Sequence, residues 1–351
     1  MKKRPTVYDV AARAGVSIAT VSFAFSQPHR VKTATLEGVL AAADELGYIP
    51  SASARGLAKG RTGAIGLYSF DYFVDQSFHV RGDERPHPSA NDDARLFPLY
   101  VDEVQRGVQL ECWDRGLALM IGGGGRTGHA PSVTDIAGRV DGLISFAGAL
   151  EYDVLRSLST RLPVVELGGQ ERVEGVGTVP VDNRSGMRDL VAHLISVHGL
   201  RRIAYLGDTS LPEFQQRYDG YVDALTGAGL APEQPRPSRP GFAEATLDSL
   251  AELLGAPPEA IVCSTDQEAV VVLDRLRLAG LRVPEDIAVT GFDGIVAGRL
   301  ADPPVSTVVQ PMEQIGRAAV AALLAVLGTV DSAPAAALEA TVSIRRSCGC
   351  R

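Results

Sequence analysis

One stretch near the N-terminus decides the local fold: TVYDVAARAGVS, residues 6–17. Thr6 and Asp9 have the spacing of a capping box, which satisfies the free amide groups at the start of a helix. Apolar side chains then recur at helical spacing as far as Gly15, a residue type that favours the left-handed conformation at a helix end. Ser17 can cap a second helix directly afterwards. The stretch therefore predicts two helices joined by a tight turn.

The sequence after the turn predicts the rest of a three-helix unit. The second helix runs from Ile18 to about Phe25, and a third is capped by Thr33 and closed by Gly47. The apolar face of the third helix comprises Leu36, Val39, Leu40, Ala43 and Leu46. A helix pair with a third helix behind it is typical of a DNA-binding unit whose second helix enters the major groove. A generic three-helix bundle has the same pattern and stays open as an alternative.

Charge is distributed unevenly along the chain. The formal net charge is −8, yet residues 1–61 hold nine basic and four acidic side chains, which leaves −13 for the remainder. A small basic head on a large acidic body fits a head that binds a polyanion such as DNA. A solvated basic terminus would give the same balance.

The overall composition restricts the class of protein. The 351 residues are 45% hydrophobic and 22% charged, which excludes a disordered or fibrous chain. No apolar run reaches the ~18 residues that a membrane span needs. The N-terminus has no apolar signal-peptide segment, so we expect a cytoplasmic protein. Four cysteines are too few for a disulfide scaffold of this length.

The body of the chain alternates short apolar strands with helical stretches. The strands are expected at 64–68, 118–121, 142–146, 163–167, 202–206, 260–263 and 287–290. Repeated strand–helix–strand units imply parallel sheets covered by helices, and a body of this length exceeds one typical core. We therefore expect two lobes, with ligands bound at the C-terminal ends of the strands.

These motifs resemble the LacI/GalR family of transcriptional regulators. The matches are TVYDVAARAGVS at 6–17, TVS at 20–22 and ELGYIP at 45–50, and the resemblance continues through the body, for example at GFDG, residues 291–294. It implies a small all-α helix-turn-helix headpiece over 1–50, a hinge helix or linker over 51–61, and an α/β two-lobed, periplasmic-binding-protein-like effector domain with parallel sheets over 62–351.

The same resemblance predicts how the chain is divided between the lobes. The first lobe takes about 62–166 and 312–329, and the second takes about 167–311 and 330–351. The chain then crosses between the lobes near Leu167, Pro311 and Val330.

The resemblance also implies a function. It predicts a dimer or higher oligomer that binds a pseudo-palindromic DNA operator as a repressor and responds to a small molecule. A sugar is the expected effector, with a nucleoside or purine still open, and it can act as inducer or co-repressor. The alternatives are a sugar-binding transport component, a cytoplasmic sugar- or nucleoside-binding protein, or a sugar-converting enzyme without operator binding.

The candidate DNA contacts fall into three groups. The family's base-reading positions match Ile18, Ala19 and Phe23, whose apolar side chains can contact thymine methyl groups. A core position is the alternative for Phe23. Leu57 matches the family's minor-groove wedge, and Arg55 is a candidate groove or phosphate contact. The candidate contacts that position the head on the phosphate backbone are Thr6, Ser17, Thr20, Ser22, Arg30, Thr35 and Tyr48.

Candidate effector contacts follow the ends of the second-lobe strands. Arg217 offers a planar fork of donors and Asp293 offers two acceptors, so together they can hold neighbouring hydroxyl groups or the edge of a polar heterocycle. A salt bridge between lobes or at the surface is the alternative. Thr265 and Asp266 are also candidate effector contacts. Thr265 stands where the family usually has Asn, and the alternative for Asp266 is a structural role as the cap of the following helix. The aromatic side chains Phe70, Phe73 and Phe146 can form a stacking wall, or belong to the core.

Other motifs predict no additional chemistry. GGGRTG at 123–128 matches a dinucleotide fingerprint, but the residues after it do not open a helix. Walker and nucleophile-elbow motifs are absent, so no enzyme activity and no cofactor are expected. Cys348 and Cys350 are two thiols, too few to fill a tetrahedral site, so no metal is expected either. Residues 71–97 form an insertion relative to the family and are read as a long loop.

Overall fold

A computed structural model describes residues 5–49, 61–70, 99–124, 132–169, 173–237, 243–328 and 336–351. The chain divides into two compact units. One comprises residues 1–64 with 139–141, and the other comprises residues 65–138 and 142–351.

The N-terminal unit holds three helices: α1 (Val7–Ala14), α2 (Ile18–Ser26) and α3 (Thr33–Leu46), with a short 3-10 turn before α3. The predicted ends of α1 are confirmed. The Asp9 carboxylate accepts hydrogen bonds from the Thr6 amide and hydroxyl, each at 2.7 Å, and Gly15 has φ 65°. Ser17 caps α2 by accepting a 3.1 Å hydrogen bond from the Thr20 amide. The core of this unit is built from Val10, Ala11, Val21, Ala24, Val39, Ala42 and Ala43.

Two details of α3 differ from the prediction. Thr33 is the first helical residue, and the N-cap is Lys32, which makes no side-chain capping bond. Leu40 is 44% exposed and lies off the buried face, because it is rotated by about 100° around the helix axis from the buried Val39.

The first sheet and its helices follow in the chain as β1 (Ala64–Phe70), α4 (Leu99–Asp114), β2 (Ala118–Gly124), α5 (Val133–Ala137), β3 (Gly142–Phe146), α6 (Tyr152–Ser159), β4 (Val164–Leu167) and β5 (Val176–Val179). The strand order is β2-β1-β3-β4-β5. The pairs β1–β3, β3–β4 and β4–β5 are parallel. The C-terminal ends of these strands therefore lie at one edge of the sheet.

The second sheet is assembled from the elements α7 (Asn183–His198), β6 (Ile203–Leu206), α8 (Pro212–Gly227), α9 (Ala243–Leu254), β7 (Ala260–Cys263), α10 (Asp266–Leu278), β8 (Ala288–Asp293), α11 (Val296–Leu300), β9 (Ser306–Val309) and β10 (Thr341–Ser343). The strand order is β10-β9-β8-β7-β6. Strands β6 to β9 are parallel and β10 runs antiparallel to β9. A last long helix, α12 (Met312–Val326), packs against α4 and the first sheet.

The first crossing between the sheets was predicted too early. It was expected near Leu167, but β5 pairs in parallel with β4, so the first sheet continues to Val179. The sequence of β5 is VGTV, with a central glycine and only two apolar residues, so it carries little strand signal. The chain returns to the first sheet after Pro311, and the crossing expected near Val330 lies outside the described residues.

None of the helices in the described part of the chain combines the length and apolar character that a bilayer-spanning segment requires.

Candidate DNA-binding and effector sites

The exposed face of α2 carries the three predicted base-reading residues. Ile18 and Phe23 are 42% and 39% exposed, and Ala19 is exposed between them. Phe23 is therefore not a core residue, which was the alternative, whereas Phe25 is half-buried against the core with its ring 5.9 Å from that of Tyr48. Apolar side chains presented together on one helix face can contact the methyl groups of thymine in the major groove. This face of α2 is therefore the candidate DNA-reading surface.

A shallow concavity beside Phe23 brings together five of the predicted DNA contacts. Its lining includes Ser17, Thr20, Phe23, Arg30 and Thr35. The Arg30 guanidinium lies 4.9 Å from the centre of the Phe23 ring and donates a 2.9 Å hydrogen bond to the Gln27 side chain. Hydroxyl groups and a cation around an apolar centre suit a phosphate backbone that flanks base edges.

The other predicted DNA contacts lie around this surface or outside the described residues. Thr6 and Ser22 are exposed, whereas Tyr48 is half-buried against Phe25. Arg55 and Leu57, the hinge candidates, belong to residues 50–60, which the structure does not describe.

The centre of the candidate effector site is the side chain of Arg217, which is only 2% exposed. It projects from α8 to the C-terminal edge of the second sheet. Its Nε donates to Asn183 Oδ1 at 3.0 Å, and Nη1 donates to the backbone oxygen of Ser264 at 2.7 Å. Nη1 also lies 3.3 Å from Asp293 Oδ1. The guanidinium is stacked 4.0 Å above the Phe292 ring. Arg217 and Asp293 thus form a buried ion pair within the second lobe, which is neither the salt bridge between lobes nor the surface salt bridge that was the alternative.

Asp293 is held by its backbone as well as by its side chain. It ends β8 with φ 110°, a conformation that costs energy for any residue with a Cβ. The Gln310 side-chain amide donates to Asp293 Oδ1 at 2.7 Å. Burial raises the pKa of Asp293 to about 6, although Arg217 and Gln310 favour the charged form. Strain concentrated on one buried carboxylate at a strand end indicates a functional position.

Asp266 supports this site from behind. Its Oδ2 accepts hydrogen bonds from the backbone amides of Gly294 and Ile295, at 2.9 and 3.0 Å. It does not cap α10, because that position belongs to Thr265, whose hydroxyl accepts a 3.2 Å bond from the Glu268 amide. The side chains of Thr265 and Asp266, both predicted effector contacts, therefore bind backbone amides of the second lobe. Asp266 holds the turn after Asp293 in place.

We expect the protonated form of Asp266 to make stability depend on pH. Burial, followed by the charge of Asp293, raises the pKa of Asp266 to about 8. The unfolded chain releases this proton near pH 4, whereas the folded chain keeps it until about pH 8. The free energy of unfolding should therefore fall as the pH rises through this window, by at most about 1.4 kcal/mol per pH unit.

The substitution Asp266→Asn should reduce this loss, because an amide oxygen can accept the same two backbone bonds without a titrating proton. Urea unfolding at pH 5.5 and pH 8 measures the slope. Asp274→Asn, at an exposed position of α10, is the control and should behave as the wild type. Equal slopes in the wild type and Asp266→Asn would show that Asp266 is ionised in the folded protein.

The first lobe contributes less to this centre than predicted. Phe146 is buried at the end of β3 with its ring 6.4 Å from that of Tyr100, as a core residue would be. The side chain of Phe70 and all of Phe73 lie outside the described residues. The Glu213 carboxylate of α8 reaches the end of β4, where it occupies the space that a Cβ at Gly168 would fill.

Several polar partners of the site were missed by sequence reasoning. They are Asn183 at the start of α7, Ser264 after β7, Gln310 after β9 and Glu213. Burial raises the pKa of Glu213, an effect that Arg217 opposes and the charge of Asp293 reinforces. Their common signal is position, since Asn183, Ser264 and Gln310 lie next to the ends of predicted elements at this edge.

A helix-turn-helix unit followed by two largely parallel sheets, with a buried polar centre at the C-terminal edge of the second sheet, defines a ligand-responsive DNA-binding regulator. Two family models match the chain: bacterial regulatory proteins of the lacI family over residues 6–51, and a periplasmic binding protein-like domain over 191–348. The HTH-type transcriptional regulator CelR of Thermobifida fusca is 32% identical over 328 residues, covering 90% of each chain. The chain therefore belongs to the lacI family of bacterial regulatory proteins.

Solved structures agree with this assignment. A complex of the transcriptional regulator CelR with cellobiose is 28% identical, has a TM-score of 0.64 and covers 98% of this chain and 100% of its own. The lac repressor dimer bound to operator and the anti-inducer ONPF has a TM-score of 0.77 at 24% identity, with 99% of each chain covered. The predicted fold class is confirmed. The chain is a DNA-binding transcriptional regulator under effector control, and the transport and enzyme alternatives are not favoured.

Proposed function

We propose that the chain represses transcription as a homodimer bound to a pseudo-palindromic operator. The exposed apolar face of α2 supports this proposal, because Ile18, Ala19 and Phe23 can contact thymine methyl groups in the major groove. The hydroxyl groups and Arg30 around the neighbouring concavity would then hold the phosphates. The hinge would add Arg55 and the Leu57 wedge. Such a regulator acts on the chromosome, in the cytoplasm.

The effector that this site suits best is a sugar. The observation that carries this proposal is the buried Arg217–Asp293 pair at the C-terminal edge of the second sheet, where Arg217 Nη1 lies 3.3 Å from Asp293 Oδ1. Neighbouring hydroxyl groups can accept from a guanidinium and donate to a carboxylate at the same time. The 28% identical CelR structure holds cellobiose, which supports a carbohydrate. The ribose of a nucleoside offers the same hydroxyl pair, so it belongs in the same ligand panel.

The effector would bind between the lobes and change operator affinity by favouring one arrangement of the dimer. A coupling free energy of about 1–3 kcal/mol is typical, equivalent to a change of about 5- to 150-fold in operator affinity. An inducer favours the DNA-free arrangement and a co-repressor favours the bound one. The sign of the change distinguishes them.

Selection of bound sequences from random duplex DNA tests the DNA-binding part of this proposal. We expect the full-length protein to enrich one palindrome and a variant lacking residues 1–61 to enrich none. A strong preference at the palindrome centre would support the Leu57 wedge. Failure to enrich any sequence at low salt, with or without a panel of sugars and nucleosides, would contradict the proposal that this chain binds an operator.

A further inference from the structure

Four side chains that are far apart in sequence meet at one place on the second lobe. His193 and His198 come from the last two turns of α7, and Cys348 and Cys350 come from the C-terminal segment. One ligand atom from each lies within 4.8 Å of all the others. This group of four (the His₂Cys₂ cluster) is separate from Arg217 and Asp293, and the proposed function does not use it.

The spacing of the cluster matches a tetrahedral metal site. Cys350 Sγ lies 3.4 Å from His193 Nε2 and 3.3 Å from His198 Nε2, and Cys348 Sγ lies 3.9 Å from His193 Nε2. Zinc binds sulfur at about 2.3 Å and nitrogen at about 2.0–2.1 Å, so tetrahedral sulfur–nitrogen edges are roughly 3.6 Å long. The three observed edges lie within 0.3 Å of that length. Small side-chain movements would complete the site.

The backbone around the thiols turns in a way that suits this geometry. Cys348 ends a 3-10 turn, and Gly349 follows with φ 104°, a conformation that brings Cys350 back towards α7. A Cβ at Gly349 would lie 3.3 Å from the His198 ring, so glycine also allows the close approach. The CGC sequence thus presents two thiols on one side of the chain.

The segment that carries the thiols is tied to the second sheet. Ser347 Oγ donates to the backbone oxygen of Val289 at 2.5 Å and accepts from the Ser306 amide at 2.8 Å. Arg345 donates from Nη1 to the backbone oxygen of Val305 at 2.7 Å. Because strands and a helix hold both halves of the cluster, its four ligands are largely positioned before a metal binds, which favours affinity.

We propose that the His₂Cys₂ cluster binds one Zn²⁺ ion per chain as a closed structural site. Two sulfurs and two imidazole nitrogens in a tetrahedron select zinc over magnesium or calcium, which prefer oxygen ligands. Binding releases one proton from each thiol, and the two thiolates then neutralise the ion. With four protein ligands the site keeps no open position for catalysis. It fastens the C-terminus to the end of α7.

The test uses the full-length protein, purified with its thiols reduced. We expect one zinc per chain by elemental analysis after dialysis against a weak chelator. Replacement by Co²⁺ should give the visible bands of a tetrahedral ion and a thiolate charge-transfer band. Cys350→Ser and His198→Gln should weaken zinc binding by more than about a hundredfold, because each removes a direct ligand. Removal of a residue that only hydrogen-bonds to a ligand typically weakens metal affinity by about 10- to 100-fold. Cys112→Ala and His29→Gln, outside the cluster, should bind as the wild type does.

The cobalt spectrum of the wild type keeps the test decisive if a ligand variant fails to fold. A wild-type protein that takes up less than about one tenth of an equivalent of zinc in the presence of excess metal, after reduction, would overturn the proposal. So would equal zinc affinity in the wild type and His198→Gln, or a cobalt spectrum without thiolate bands. A Cys348–Cys350 disulfide that persists under reducing conditions would also contradict it.

Discussion

Replacing Arg217 by methionine should remove the response of operator binding to the effector. Methionine keeps the apolar contact with Phe292 but has no donors for a ligand. Each charge-assisted hydrogen bond contributes about 1.5–3 kcal/mol, so loss of two should lower effector affinity by at least about a hundredfold. Operator binding without effector should stay within about threefold of wild type, since Arg217 lies outside the N-terminal unit. Calorimetry for the effector and fluorescence anisotropy for the operator measure the two quantities.

The same substitution leaves Asp293 buried without its cation, which costs about 3–5 kcal/mol of stability for a broken buried pair. The double variant Arg217→Met with Asp293→Asn removes both charges and should recover most of that stability, but not effector binding. Arg277→Met is the control, because Arg277 is exposed and pairs with Asp274 at 2.8 Å. Wild-type effector affinity in the double variant would show that the ligand binds elsewhere.

Replacing Phe23 by alanine should lower operator affinity by about 10- to 100-fold. Covering an exposed aromatic side chain contributes about 1.5–3 kcal/mol, and that contribution is lost when the ring is removed. The ring also supports Arg30 at 4.9 Å, so a phosphate contact weakens with it. Binding to random DNA depends on charge and should change little, so the ratio of specific to random affinity should fall. Competition anisotropy with operator and random duplexes measures that ratio.

Leu40→Ala provides the matched control for Phe23→Ala. Leu40 is an apolar residue of the same unit with similar exposure, but it lies on α3 and outside the concavity around Phe23. It should leave operator affinity within about twofold. An equal loss in both variants would indicate general destabilisation of the unit, and no loss in Phe23→Ala would contradict the assignment of this face.

Local signals in the sequence were sufficient for most of the N-terminal unit. The Thr6–Asp9 box, the Ser17 cap and the turn at Gly15 are determined by neighbouring residues, so they could be read from the sequence. The cap of α3 was misassigned, since Lys32 provides no side-chain bond by which a cap could be recognised. Strand β5 was missed because its partner β4, rather than its own VGTV sequence, makes it a strand.

Contacts over long sequence distances could not be predicted. The two hydrogen bonds that Asp266 accepts from the backbone amides after β8 depend on the packing of α10 against that strand, which no local pattern encodes. Likewise, His193 and Cys350 are 157 residues apart, and only the fold brings them to 3.4 Å. The two C-terminal thiols alone therefore predict no metal site, because the other two candidate ligands of the His₂Cys₂ cluster lie on α7.

The central claim is that one small molecule bound to the two-lobed unit controls how tightly the N-terminal unit holds DNA. The most direct measurement is the operator affinity of the full-length protein with and without a saturating sugar, together with the sugar affinity of a variant lacking residues 1–61. We expect operator affinity to change at least about fivefold, and the truncated variant to bind the sugar normally but not the operator. An operator affinity that stays within twofold at saturation, or operator binding by the truncated variant, would contradict the account.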